Sequence, residues 1–183
     1  MFKRKYILLL LLILNFSSHL MAAFSPIGIS IIPPVQFPFD EWDVYGLRLG
    51  LYSKHYNVYG LDLGLLNTAE KTAGLQIGVV NISKFFGGLQ LGFVNLTADA
   101  YIMQVGIFNR AKHKSGGIQL GIVNSSRDAY GLQLGIVNKA RDAHGFQIGI
   151  VNYAEDLHGL QIGILNFNID GPLVLSPIIN FGF

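Results

Sequence analysis

Gly-Leu-Gln-Leu-Gly-Ile-Val-Asn, residues 131–138, is one copy of a motif that recurs along the chain every fourteen residues. Nine copies align on their second glycine, which we call the middle glycine, and the spacing is fifteen only once, between Gly106 and Gly121. A short fixed period is typical of proteins built from stacked units rather than around one catalytic pocket. The middle glycines are Gly50, Gly64, Gly78, Gly92, Gly106, Gly121, Gly135, Gly149 and Gly163.

The alternation inside each copy predicts a β-strand. Leu132, Leu134 and Ile136 alternate with Gln133 and Gly135, which is the two-residue period of a strand. A helix is excluded because each glycine in a helix interior costs about 1 kcal/mol. We expect leucine and isoleucine to face the interior, and the asparagine that closes each motif to occupy a tight turn.

The strictness of the period selects among all-β arrangements. A meander of single strands reverses direction at every copy, so its surroundings would repeat only at every second copy. The same turn residues recur in every copy, which favours a chain that returns to the same place. The sequence therefore predicts an all-β, single-domain β-solenoid of about nine fourteen-residue coils with N- and C-terminal caps. The alternative is an outer-membrane β-barrel in which each repeat supplies a strand and the glutamines face the lumen.

In a solenoid, equivalent residues of successive coils stack into ladders that hydrogen-bond along the axis. The first expected ladder, the glutamine ladder, is formed by Gln76, Gln90, Gln104, Gln119, Gln133, Gln147 and Gln161. The second, the asparagine ladder, is formed by Asn67, Asn81, Asn95, Asn109, Asn124, Asn138, Asn152 and Asn166. The first two copies depart from the pattern, with Arg48 and Asp62 in the glutamine place, as expected of terminal units.

The chain divides into four segments. Residues 1–23 have the layout of a secretory signal peptide, in which three cations precede an apolar run too short to span a bilayer. Residues 24–45 are rich in proline, which cannot donate to a central strand ladder, so they are expected to cap one end. Residues 46–166 carry the repeats, and residues 167–183 are expected to form a C-terminal cap strand.

Composition restricts the possible partners and the cellular location. Removal of Lys3, Arg4 and Lys5 with the leader leaves ten basic against eleven acidic residues, so no electrostatic footprint for nucleic acid remains. The chain has no cysteine, which excludes disulfides, thiol nucleophiles and thiolate zinc sites. We expect export to the cell surface, the outer membrane or the periplasm.

The middle glycines predict an interface. Glycine weakens a strand, so a row of glycines indicates that something approaches the backbone closely there. An apolar row lies beside them, and together the two rows predict self-association or contact with the outer membrane. The candidate interface residues are Gly78, Gly92, Gly121, Gly135, Gly149, Val123, Val137 and Val151.

No arrangement of residues points to catalysis. We find no nucleophile beside a base, no facing carboxylates and no phosphate-binding loop, so we expect neither an enzyme nor a cofactor. The residues that would bind a divalent cation are His144, His158, Asp142 and Asp156, which align in adjacent copies. We expect turn chemistry rather than a metal site at these four positions.

Several segments together resemble one family. They are Pro-Pro-Val-Gln-Phe-Pro at 33–38, Val-Tyr-Gly-Leu-Arg-Leu at 44–49, the repeats themselves and Pro-Ile-Ile-Asn-Phe at 177–181. In these the chain resembles the leptospiral-type surface-repeat family of uncharacterised exported bacterial proteins, over nearly the whole mature chain. The resemblance implies a surface-associated protein and supplies no catalytic residues. A looser similarity, at Leu132 to Ala140, is to the head domains of trimeric autotransporter adhesins, which use fourteen-residue coils.

These observations predict a non-catalytic exported protein of the cell surface or envelope, acting as a structural or adhesive interaction module. Two alternatives stay open. One is an integral outer-membrane β-barrel protein. The other is a carbohydrate- or peptide-binding module that uses exposed aromatic residues such as Tyr101, Tyr130 and Tyr153. The sequence does not identify a partner protein or glycan.

Overall fold

The computed structural model describes residues 23–183, so the predicted leader lies outside the described residues except for Ala23. The described chain forms strands and turns without a helix, which confirms the all-β prediction. One sheet contains β1 (Phe24–Ile32), β2 (Val35–Phe37), β3 (Asp43–Ile148), β4 (Val151–Ala154), β5 (Asp156–Asn168) and β6 (Leu175–Gly182).

The pairing of the strands follows the repeat. β3 pairs in parallel with β4 and β5 at an offset of fourteen residues, for example Asn138 with Asn152 and Gln147 with Gln161. The stacked rings of Tyr130 and His144 lie 4.6 Å apart, close to the spacing of neighbouring strands in a sheet. Residues one repeat apart therefore lie side by side.

Two antiparallel strands form the edges of the sheet. β1 runs parallel to the first repeat in β3, and the short β2 folds back on β1. β6 pairs antiparallel with β5, the last repeat. The sheet order β2-β1-β3-β4-β5-β6 is open. It is not the closed antiparallel sheet that the β-barrel alternative requires.

The interior is polar, and the prediction that leucine and isoleucine face inward is wrong. Gln133 and Asn138 are 2% and 0% exposed, whereas Leu134 and Ile136 are 43% and 46% exposed. Alternation predicts two faces of a strand but does not decide which face lies inside. Here the amides fill the interior because their equivalents one repeat away satisfy them, and small residues such as Ala140 complete the packing.

The glutamine ladder is present and has a direction. Each Nε2 donates to the Oε1 of the preceding glutamine, as in Gln133 to Gln119 at 2.8 Å and Gln147 to Gln133 at 2.7 Å. Every donor therefore points toward the N-terminal end. A buried amide that is fully paired avoids the 1–3 kcal/mol that an unpaired polar group costs.

The asparagine ladder runs in the opposite direction. Asn124 Nδ2 donates to Asn138 Oδ1 at 2.9 Å, and Asn138 Nδ2 donates to Asn152 Oδ1 at 2.8 Å. Each Nδ2 also donates to a backbone carbonyl of the next repeat, as Asn138 does to Ile148 O at 2.9 Å. The asparagines were expected at a tight turn after each strand; all of their side chains are fully buried, and they hold the backbone of the following repeat.

The middle glycines are crowded from inside the molecule. A Cβ at Gly135 would lie 2.7 Å from Asn124 Nδ2 and 3.2 Å from Asn138 Oδ1, and it would clash with the carbonyl of Gly121. The same contacts recur at Gly121 and Gly149. The glycine row is therefore required by the asparagine ladder, and an outside partner is not needed to explain it.

The first glycine of the motif has a different role, because it takes a positive φ that disfavours other residues. Eight of the nine copies have glycine there, for example Gly131 at φ 119°. Ile102 occupies this place once, at φ 89°. The same copy contains the extra residue of the fifteen-residue spacing, between Asn109 and Lys114, since Asn95 contacts Asn109 while Asp99 contacts Lys114. The irregularity is thus confined to one place in the sheet.

We predict that Gln133→Leu destabilises the fold although it replaces a buried polar residue by an apolar one of similar size. The change leaves Gln119 Oε1 and Gln147 Nε2 without their ladder partners. The expected loss is about 2–4 kcal/mol in the free energy of unfolding, measured by urea denaturation. The exposed control Arg141→Leu should change it by less than about 0.5 kcal/mol. Equal losses in the two variants would show that the ladder contributes nothing specific.

Candidate functional site

The N-terminal end of the glutamine ladder is closed by a buried ion pair. Gln76 Nε2 donates to Asp62 Oδ2 at 2.7 Å. Arg48 Nε and Nη2 donate to the two carboxylate oxygens at 2.7 and 2.6 Å, and both side chains are fully buried. A carboxylate only accepts hydrogen bonds and a guanidinium only donates them. Asp62 therefore ends the row of donors, and Arg48 balances its charge.

His55 connects this pair to the N-terminal segment. Its Nδ1 lies 3.3 Å from Arg48 Nη1, and its Nε2 lies 3.2 Å from Pro38 O. A neutral imidazole that accepts at Nδ1 and donates from Nε2 satisfies both contacts. Burial, and secondly the Arg48 guanidinium, lower the pKa of His55 from 6.5 to about 4, so the ring is neutral at physiological pH.

The most extensive surface feature is apolar. We define the apolar stripe as the residues that lie three positions before, one position before and one position after each middle glycine. The residue after the glycine is exposed in all nine copies, from 42% for Val79 to 65% for Ile164. These nine residues are Leu51, Leu65, Val79, Phe93, Ile107, Ile122, Ile136, Ile150 and Ile164.

The apolar stripe continues into the strands at both ends. In β1, Ile27 and Ile29 pair with Leu47 and Leu49 and extend their columns. In β6, Phe181 pairs with Leu160 and Ile179 with Ile162, while the buried Asn180 pairs with Gln161. The end strands thus repeat the apolar-out, polar-in pattern without the repeat sequence.

Exposed charge in the repeats lies outside the motifs that carry the apolar stripe. Across the nine eight-residue motifs the charged residues are Arg48 and Asp62, which are both buried. All exposed charges of the repeats lie on the segments between motifs, which are six residues long except for the seven residues 110–116. An example is Arg141, which is 3.6 Å from Glu155. We call this surface the charged side.

The candidate interface residues lie beside this stripe. Gly78, Gly92, Gly121, Gly135 and Gly149 crowd inward against the asparagine ladder, so the reason for assigning them to an interface is wrong. Val123, Val137 and Val151 are half-buried. The exposed apolar residues are those adjacent to the glycines instead.

The candidate cation ligands stack without forming a metal centre. The rings of His144 and His158 are stacked at 4.7 Å, and His158 Nδ1 lies 3.6 Å from Asp156 Oδ1. Asp142 lies 3.9 Å from Arg141 Nε. Within residues 23–183, no three or more His, Cys, Asp or Glu side chains come together in a way that could hold a metal ion.

The three candidate tyrosines do not form one platform. Tyr130 stacks on His144, Tyr101 packs against Phe85 with ring centroids 5.2 Å apart, and Tyr153 lies 6.4 Å from Phe167. Lys114 and Lys139 cover the rings of Tyr130 and Tyr153 at 4.5 and 5.4 Å. These contacts occupy the ring faces that a sugar would need.

A groove of about 460 Å³ lies on the charged side, over the first five repeats. Its floor consists of the buried residues His55, Ala69, Ser83 and Thr97. One wall carries Lys54, Thr68, Ile82, Leu96 and Arg110, and the other carries Tyr56, Glu70, Lys84, Ala98 and Lys112. We call this feature the groove. Sequence reasoning missed it, although small residues between two outward columns were visible in each copy.

No protein-family model matches the chain, and no curated protein or solved structure matches it significantly. Residues 23–183 include no helix that is long and apolar enough to cross a membrane.

We predict that stability depends on pH through His55. The unfolded histidine binds a proton near pH 6.5 and the folded one only near pH 4, so the free energy of unfolding falls as the pH drops from about 6.5 to 4. The His55 contribution is at most about 3 kcal/mol. To isolate the histidine, the measurement is the difference between wild type and His55→Gln in urea denaturation across this pH range. Parallel curves for the two proteins would contradict the prediction.

Proposed function

We propose that this chain is an exported, non-catalytic protein of the cell envelope that acts as a structural module by pairing with a second copy through the apolar stripe. We further propose that its repeats form a β-solenoid of about nine fourteen-residue coils. The parallel pairing at a fourteen-residue offset supports this architecture, as do the two side-chain ladders. The leader-like sequence of residues 1–23 and the resemblance to the leptospiral-type surface-repeat family support the proposed location in the cell envelope.

The observation that carries the proposal is the size of the apolar stripe. Nine repeats with β1 and β6 give ten steps of about 4.8 Å, and its width is about four residues of 3.3 Å, so the stripe covers roughly 48 by 13 Å, or about 620 Å². The largest apolar patch of a typical monomer is about 300–600 Å². Projecting side chains make the accessible area larger than this flat estimate, and a standard interface buries approximately 800 Å² per partner.

Charge favours a second copy over a lipid surface. A helix or sheet that lies on an anionic membrane carries cations beside its apolar face. One flank of the stripe is formed by the residue that immediately precedes each motif. For the last seven motifs, none of these residues is lysine or arginine: they are Ala73, Gly87, Tyr101, Gly116, Tyr130, His144 and His158. A second stripe offers an equally long and uncharged surface. Two-fold pairing lets both stripes be covered at once, with the sheets about 10 Å apart.

We predict that the wild-type protein is a dimer and that the double variant Ile136→Lys and Ile150→Lys is a monomer. These neighbouring residues are 46% and 47% exposed, so the lysines can be accommodated in the monomer but would meet like charge in the dimer. The molar mass is measured by light scattering after size-exclusion chromatography, and circular dichroism checks the fold. The matched control is Arg141→Gln with Glu155→Gln on the charged side, which should stay dimeric.

Two outcomes would count against the proposal. A monomeric wild type at tens of micromolar would overturn self-association, and a monomer that binds vesicles would assign the stripe to the membrane. The envelope address is tested separately: the protein recovered from the envelope fraction should begin near Phe24, and a chain that retains Lys3 to Lys5 in the cytoplasm would contradict export.

A further inference from the structure

The groove is chemically distinct from the apolar stripe, and none of the stripe residues lines it. Its volume of about 460 Å³ falls within the range of small-molecule sites, about 300–1,000 Å³. It extends along five repeats, from Tyr56 to Lys112, which corresponds to roughly four strand spacings or 19 Å. Its shape therefore suits an elongated ligand rather than a compact one.

The centre of the groove is apolar. Ile82, which is 37% exposed, and Leu96 form one wall in adjacent repeats, and Ala98 faces Leu96 from the other wall. The buried Ala69 lies in the floor nearby. A glycan needs hydrogen-bonding groups along its length, and this part of the groove offers mainly methyl and methylene groups.

The charges at the groove are divided between paired and unpaired cations. Lys54 lies 3.9 Å from Asp40, and Lys84 lies 2.6 Å from Glu70, so these cations already have partners. In the described part of the chain, neither Arg110 nor Lys112 lies within 4.0 Å of a carboxylate. Both residues are exposed, and they flank the buried Ala111.

The position of Ala111 decides where these two cations act. Because alternate residues of a strand share a face, the inward Ala111 places Arg110 and Lys112 outward, one at each wall of the same end of the groove. Two cations at one end, followed by an apolar channel, complement an anion that is joined to an apolar chain.

We propose that the groove binds a single-chain anionic amphiphile, with a carboxylate or phosphate head group at Arg110 and Lys112 and an alkyl chain along Ile82, Leu96 and Ala98. The site is independent of the proposed dimer, since it involves no residue of the apolar stripe. A free fatty acid has this chemistry, and an anionic membrane phospholipid offers it through its head group and one of its acyl chains.

The test is isothermal titration calorimetry with dodecanoate and dodecyl phosphate below their micelle concentrations. Both should bind, whereas dodecyl maltoside, which lacks the charge, and inorganic phosphate, which lacks the chain, should bind at least about tenfold more weakly. Arg110→Gln with Lys112→Gln should weaken dodecanoate about tenfold, a loss of about 1.4 kcal/mol. Arg127→Gln with Arg141→Gln removes the same charge outside the groove and should leave the affinity unchanged.

Two further variants test where the alkyl chain of the ligand binds. Ala98→Trp should fill the groove and abolish binding, while the stripe variant Ile136→Lys with Ile150→Lys should bind as wild type does. The proposal fails if dodecyl maltoside binds as well as dodecanoate, or if only the stripe variant loses binding. It also fails if the Arg110/Lys112 double variant and the Arg127/Arg141 double variant bind dodecanoate with the same affinity. Vesicles of equal parts phosphatidylcholine and phosphatidylglycerol separate the sources: cosedimentation that depends on Arg110 and Lys112 assigns a membrane lipid, and binding of soluble dodecanoate alone assigns a free acid.

Discussion

The hydrogen bond between the side-chain amides of residues one repeat apart is the interaction on which the remaining structure depends. An amide that donates to its equivalent must lie one strand spacing from it, which requires the backbones to pair in register. The asparagine ladder adds a bond to the backbone of the next repeat, as Asn138 does to Ile148 O. Glycine at the middle position follows, because any Cβ there would collide with these amides.

The ladders also determine where the apolar residues lie. Glutamine, asparagine and small residues fill most of the interior, with Val44, Val58, Phe86 and Leu157 as the larger apolar residues there, and the other face of each motif carries leucine, isoleucine and valine outward. The repeats therefore combine a mostly polar interior, with two small apolar clusters, and an apolar exterior. Because a large apolar exterior is unfavourable in water, the same constraint that builds the fold is also the basis of the proposed pairing with a second copy.

The opposite directions of the two ladders explain the irregular ends. The glutamine donors all point toward the N-terminus and meet Asp62, whose negative charge is balanced by Arg48. The asparagine donors point toward the C-terminus, where Asn166 Nδ2 donates to Ser176 O of β6 at 3.1 Å. Each end therefore supplies the acceptor that the last amide needs, which gives the departures from the repeat a physical reason.

Much of this architecture could be predicted from the sequence, and what could not depends on packing. The strands and both ladders follow from alternation and period, since Gln133 and Asn138 recur at fixed places. The inward face could not be assigned, because Leu134 and Gln133 alternate equally well either way. The roles of Asp62 and Arg48 could have been predicted, since a row of donors needs an acceptor at its end and a buried carboxylate needs a cation. The groove depends on how wall residues such as Leu96 and Ala98 are spaced in three dimensions, and a pattern of residue types does not contain that distance.

The most direct test of the central claim is hydrogen exchange of the glutamine and asparagine side-chain amides, followed by NMR after transfer into D₂O. Ladder amides that are buried and paired should remain visible long after those of the more accessible Gln36 and Asn57 have exchanged. In the Gln133→Leu variant, the side-chain amide of the neighbouring Gln147 should lose its protection, which would show that the protection depends on the ladder. Exchange of all side-chain amides within the dead time, in a protein that is otherwise folded, would contradict a polar interior.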